Sequence, residues 1–118
     1  MNVLICGQRD YKNRKSVAKL VGSLEKGTLV IEGGAPGADT LAREEAHRSG
    51  LAVATYHAPW SAYGKRAGPI RNRWMLKHGR PNLVVAFYHD KSSSKGTRNM
   101  VEVEQARKNG VQILEIED

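Results

Sequence analysis

The run TLVIEGGAPGADTLAREEAHRSG, from Thr28 to Gly50, carries the pattern on which the fold turns. Thr28–Glu32 is a near-continuous apolar stretch, as expected of a strand covered on both faces. Ala38–Arg48 then reads as a helix, with Asp39 placed to cap its start and Gly50 to close it. Between the two, Gly33, Gly34 and Gly37 let the backbone turn sharply and come close to a neighbour or a ligand. A strand, a Gly-rich turn and a helix make the opening half of a parallel crossover unit.

The same alternation extends in both directions. Asn2–Cys6, Ala52–His57, Asn82–Tyr88 and Val111–Ile116 are further short apolar runs. Asn13–Glu25 sets Val17, Leu20, Val21 and Leu24 on one helical face. Pro69–His78 has Pro at its first helical position, with Gly79 after its end and Pro81 beyond. Thr97–Lys108 starts at a Thr cap and stops at Asn109 and Gly110. Strand and helix alternating four times and ending on a strand predict a three-layer α/β sandwich, Rossmann-like or flavodoxin-like. It would have a five-stranded parallel sheet and about four helices, in one domain over residues 1–118. Strand order is not written in the pattern.

Composition narrows the chemistry. The 118 residues hold 19 Lys+Arg against 12 Asp+Glu, a formal net charge of +7, with 40% hydrophobic residues and one cysteine. A lone Cys6 excludes a disulfide framework and a Cys-rich zinc site. No apolar run approaches the ~20 residues of a membrane helix, and MNVLIC lacks the features of a signal peptide. A cytoplasmic protein without membrane contact is the expectation. The charge is unevenly spread: between Ala46 and His89 there is no Asp or Glu, while Arg48, Lys65, Arg66, Arg71, Arg73, Lys77 and Arg80 fall there. A local excess of this kind suggests an anionic partner, and a solvated basic face is the plainer reading.

In doubly wound sheets ligands bind beyond the carboxyl ends of the strands, so the loops leaving those ends form one candidate site. The first holds Gly7 and Arg9. The second, Gly33 to Thr40, is neither a dinucleotide fingerprint nor a Walker A loop. Its amides and helix start suit a phosphate, and Asp39 is as good a cap as it is a ribose ligand. The third leads into GPIRNRW, where Arg71 and Arg73 occupy the first turns of a helix. The helix dipole disfavours cations there by ~0.3–1 kcal/mol each, so a compensating anion is expected, with Arg71 the better placed of the two. Trp60 and Tyr63 could stack on a base or serve packing. The fourth loop repeats the theme with Gly96, Thr97 and Arg98. The histidines have no metal-ligand spacing, and no serine lies in a nucleophile-elbow context. Neither a metal nor a cofactor is expected.

With CGQRDY, GGAPGADTLA, GPIRNRWML and KGTRNMVEVEQA in this order, nearly the whole chain resembles the SLOG superfamily. This Rossmann-like group includes the LONELY GUY (lysine-decarboxylase-like) proteins and DNA-processing protein A, and the likeness is to its YspA/YpsA-related single-domain branch. The resemblance implies a nucleotide or nucleotide-derived ligand over the Gly-rich loop, with Gly33, Gly34, Gly37 and Asp39 at the matching positions. It also implies that Arg71 acts at an N-glycosidic bond, and that the protein forms a homodimer or higher homo-oligomer. The PGGxGTxxE signature of the LONELY GUY hydrolases is matched only at Gly96 and Thr97. Three residues after Thr97 stands Met100, and Glu102 follows about 200° further round a helix.

The expected arrangement has the Gly33–Gly37 amides and the helix start at Gly96 and Thr97 holding phosphate. Arg9 and Arg71 neutralise its charge, and Asp39 or Glu32 contacts a ribose. Were hydrolysis to occur, Glu32 or Glu102 would be the acid/base beside Arg71. A sensor that holds a nucleotide without altering it satisfies the same residues. The alternative is a single-stranded nucleic-acid binder, which fits the basic segment with Trp60, Tyr63 and Trp74 interleaved.

Overall fold

The structure is a computed structural model that describes residues 1–94 and 98–118, with side chains for 1–92 and 103–118. Five strands, β1 (Asn2–Gly7), β2 (Leu29–Glu32), β3 (Ala52–Thr55), β4 (Leu83–Tyr88) and β5 (Gln112–Glu117), pair in the order β3-β2-β1-β4-β5, every neighbour parallel. This order is the Rossmann arrangement, which settles the point that the apolar pattern left open. The helices are α1 (Arg14–Gly22), α2 (Ala38–Arg48), the single turn α3 (Trp60–Tyr63), α4 (Ala67–Gly79) and α5 (Arg98–Lys108).

The strand period of two divides the core between the faces of the sheet. Val3 and Ile5 point toward α1 and α2, where they join Val17, Val21, Ala38, Ala42 and Phe87. Leu4 and Cys6 point to the other side and pack with Met75, Leu76, Val84, Tyr88, Val103 and Ala106. Both faces being covered is why the central strands read as unbroken apolar runs. The edge strand β5, Gln-Ile-Leu-Glu-Ile-Glu, is instead half-buried at Ile113, Glu115 and Ile116 and exposed at its other three residues. Across the outer layer, Arg14 on α1 reaches Glu44 and Glu45 on α2 at 2.6 and 2.7 Å. This contact lifts the guanidinium pKa and draws Glu44 below the usual carboxylate range.

Helix α1, expected over Asn13–Glu25, ends early at Gly22 with Ser23 as its C-cap, and both ends of α4 differ from the sequence expectation. The helix expected from Pro69 begins two residues earlier, at Ala67, after the turn α3 and a 3-10 turn at Gly64–Arg66. Arg71 and Arg73 thus lie beyond the first turn, where the dipole acts weakly, and the argument from helix-dipole cost does not apply to them. Gly79, expected after the helix, belongs to it, and Arg80 takes the left-handed position at φ 47°. The reason is packing: a Cβ on Gly79 would sit 2.9 Å from Ile31 Cδ1 of β2.

Candidate functional site

The chain leaves β1, β2, β3 and β4 at one edge of the sheet, and a cleft of about 260 Å³ opens there. The Gly33–Pro36 turn forms one wall and His57, Ala58 and Trp60 form another. Arg9 comes from the loop after β1, and Arg71 enters from α4. Arg9 is exposed, whereas Arg71 is 2% exposed and counts among the largest fully enclosed side chains.

The interior of the site is built on Arg71. Its Nη1 donates to the Gly33 carbonyl and, at 3.3 Å, to the Tyr56 carbonyl, while its Nε donates to Asn72 Oδ1 at 2.8 Å. Burying a guanidinium is costly unless its donors are engaged, and these three acceptors take three of its five N–H groups and fix its plane. Gly33 makes the approach feasible: a Cβ there would lie 2.5 Å from Arg71 Nη1 and 3.0 Å from Asp39 Oδ2. The guanidinium and the Asp39 carboxylate therefore both come close to the point that a Gly33 Cβ would occupy.

The turn is held by carboxylates of its own chain. Asp39 Oδ2 accepts from the amides of Gly33 at 3.0 Å and Ala35 at 3.3 Å. Glu32 accepts from the Gly34 amide at 2.7 Å and from the Thr55 hydroxyl. This corrects the expected phosphate cradle, because three of its amides bond inward to Asp39 and Glu32. It also corrects the roles of those two acids. Glu32 is fully buried and Asp39 is 6% exposed, and neither stands on the cleft wall as a ribose ligand or an acid/base. Asp39 is not the helix cap either, since Gly37 occupies that position and Leu41 N bonds its carbonyl at 3.0 Å.

The cleft thus brings together Arg9, Gly33, Gly34 and Arg71 of the expected residues. Gly7 and Gly37 support it from behind. A Cβ on Gly37 would come within 2.4 Å of the Gln8 and Arg9 carbonyls, and one on Gly7 within 2.5 Å of the Phe87 carbonyl. Gly96 and Thr97 lie outside the described residues, as do the side chains of Arg98 and Glu102. Sequence reasoning missed His57, whose position just past β3 was the available signal. It also missed Asn72, whose role becomes visible only once Arg71 is known to be buried. Among the described residues, no cluster of His, Cys, Asp and Glu could hold a metal ion, and no helix is long and apolar enough to cross a membrane.

A larger hollow of about 360 Å³ lies elsewhere, on the flank where Arg73, Trp74, Lys77 and His78 of α4 meet Gln105 of α5. Size alone would favour it. The smaller cleft lies at the strand ends, where the parallel sheet directs its loops and where the buried guanidinium is held, and we take it as the site.

Over residues 1–63 the chain matches the family model YAcAr, described as the YspA, cpYpsA-related SLOG family. The Gene 61 protein of Mycobacterium phage D29 is 34% identical over 125 residues, covering 98% of this chain and 96% of that protein. Among solved structures, DNA processing protein A (DprA) from Streptococcus pneumoniae matches with a TM-score of 0.79 and 21% identity, over 97% of this chain and 49% of that one. This chain spans about half the length of the DNA-processing protein, and the likeness is one of fold.

Proposed function

The chain belongs to the YspA, cpYpsA-related SLOG family, and from that premise we propose that its cleft binds the phosphate and ribose of a nucleotide or nucleotide-derived small molecule. The observation that carries this reading is the meeting of Arg9 and Arg71 on one cleft that has no carboxylate among its described lining residues. Two guanidiniums at a concave site with low-dielectric walls favour an anion. The carbonyls that fix Arg71 keep it rigid without neutralising it. Glu32 is engaged with Gly34 and Thr55, so the reading is a binder or sensor, and hydrolysis of an N-glycosidic bond would need an acid/base from elsewhere.

The test is to denature the purified protein and identify any released nucleotide by mass spectrometry, then to titrate nucleotides calorimetrically. Arg9→Ala is the informative variant, because Arg9 is exposed and its loss spares the core. Affinity should fall by about tenfold, the scale of one charge-assisted contact. Unchanged affinity in Arg9→Ala would remove this residue from the site.

A second reading, a single-stranded nucleic-acid binder, has one specific observation in its favour. Lys65, Arg66, Arg73, Lys77 and Arg80 are exposed, and none has an acidic partner among the described residues. Binding of a short oligonucleotide that weakens steeply with salt, without any small-ligand binding, would establish this reading over the first.

A further inference from the structure

We propose that Asn72 is the positioning residue of the anion site, holding the Arg71 guanidinium with a neutral amide so that its charge stays available to the ligand. This deepens the nucleotide reading of the cleft and rests on it. Asn72 follows Arg71 on α4 and is 3% exposed. Its Oδ1 accepts from Arg71 Nε at 2.8 Å, in the interior of the protein. A guanidinium N–H can only donate, so the amide turns its oxygen to Nε and its nitrogen elsewhere. That nitrogen, Nδ2, is enclosed and has no hydrogen-bond partner among the described residues.

An enclosed donor without a partner destabilises the fold, and an apolar side chain of the same shape would avoid it. What Asn72 supplies against that cost is one acceptor for Nε. A carboxylate would supply the same acceptor, leave no donor over and form an ion pair with Arg71. Arg71 has no such pair among the described residues. Its three acceptors, Asn72 Oδ1 and the carbonyls of Gly33 and Tyr56, are all uncharged. The Asp39 carboxylate bonds the Gly33 and Ala35 amides instead. The guanidinium is thus a buried cation held by dipoles alone, and its Nη2 has no partner among the described residues. Arg71 lines the cleft, so an anion bound there becomes its counter-ion. Fixing the guanidinium plane beforehand also reduces the freedom lost when that anion binds. An amide at position 72 orients the cation and leaves its charge in the cleft, whereas a carboxylate there would orient it and cancel it.

The experiment measures melting temperature and calorimetric affinity for adenosine 5′-monophosphate in the wild type, Asn72→Asp and Asn72→Ala. Asn72→Asp keeps the acceptor for Nε and removes the unpaired donor, so it should melt at or above the wild type. It also neutralises Arg71, and affinity should fall by about tenfold or more, the scale of one charge-assisted contact. Asn72→Ala removes the acceptor and should lower both quantities. A purely structural Asn72 predicts instead that Asn72→Asp keeps binding together with stability. Wild-type affinity in Asn72→Asp would therefore overturn the positioning role and leave the cleft reading standing. If that variant is too unstable to titrate, the Arg71 Nε–H resonance of the wild type decides. It should exchange slowly with solvent and shift when the nucleotide is added, and fast exchange or an unmoved resonance would overturn the role. A wild type that does not bind the nucleotide would overturn the cleft reading itself, and the role of Asn72 with it.

Discussion

Gly33→Ala tests whether the Gly-rich turn exists to admit Arg71. The new Cβ would be 2.5 Å from Nη1, 2.7 Å from Cζ and 3.0 Å from Asp39 Oδ2. Ordinary contact begins near 3.4 Å, so the guanidinium must retreat by about 0.9 Å. The tip of a long side chain normally yields at little cost, but this one is 2% exposed and bonded to Gly33, Tyr56 and Asn72. A retreat of that size weakens both bonds from Nη1. Overpacking in a filled interior costs about 1–3 kcal/mol, and a disturbed charge-assisted bond falls in the same range. A loss of about 2 kcal/mol is therefore expected, seen as a Tm lower by roughly 6–10 °C at this chain length. Gly22→Ala is the control. A Cβ there meets nothing within 4 Å, and replacing a helical glycine should stabilise by about 0.5–1 kcal/mol. Differential scanning calorimetry reads both. If Gly33→Ala melted with the wild type, Arg71 would have room to spare and the account of the turn would fail.

Further consequences concern pH and helix ends. Burial first, then the bond to Asp118 at 2.8 Å, raises the Tyr11 pKa to about 12. Because the folded value lies above the unfolded one, its contribution is complete below pH 10 and is lost as pH rises from 10 to 12, by up to about 2–3 kcal/mol. Denaturant titrations of wild type and Tyr11→Phe should diverge across that window, and parallel curves would contradict it. Glu115, held by Lys91 at 2.8 Å, titrates below the usual carboxylate range. Its contribution is present above the unfolded value and fades as the solution is acidified through the lowered one, so Glu115→Gln should flatten the acid limb of the stability profile. Arg80→Gly should raise stability by about 1 kcal/mol, since Arg80 holds a left-handed backbone that glycine adopts freely. A thermal melt decides the sign.

Much of this architecture is legible from residue order alone. Asn2–Gly7 and Leu83–Tyr88 lie centrally in the sheet and are covered on both sides, so they register as plain apolar runs. Asn13 caps α1 through its side chain, accepting from the Ser16 amide at 3.2 Å, a local device with a local signal. Helix α4 is where local signals mislead. Its start is set by the preceding turns at 60–66 and its end by contact of Gly79 with Ile31, a residue 48 positions away, so Pro69 and Gly79 suggest the wrong boundaries. The site shows the same division. Gly33, Gly34 and Arg9 could be picked out because loops at strand ends are few, whereas the signal that singles out Arg71, a place in the first helical turn, is not where α4 puts it. Where the Gly33–Ala35 amides point depends on the side chains of Glu32 and Asp39, which could equally have faced a ligand. His57 carried no motif, and Asn72 acquires meaning only beside a buried guanidinium.

The central claim, a nucleotide held at the strand ends by Arg9 and Arg71 over the Gly-rich turn, is tested most directly by amide and indole NMR shifts during titration with adenosine 5′-monophosphate. The account predicts that the largest changes fall on Gly33 to Ala35, on His57 and Ala58, and on the indole N–H of Trp60. It also predicts that Lys77, His78 and Gln105 stay unmoved. Shifts concentrated on those last three residues, with the turn after β2 silent, would place the ligand in the α4–α5 hollow and contradict the assignment of the site.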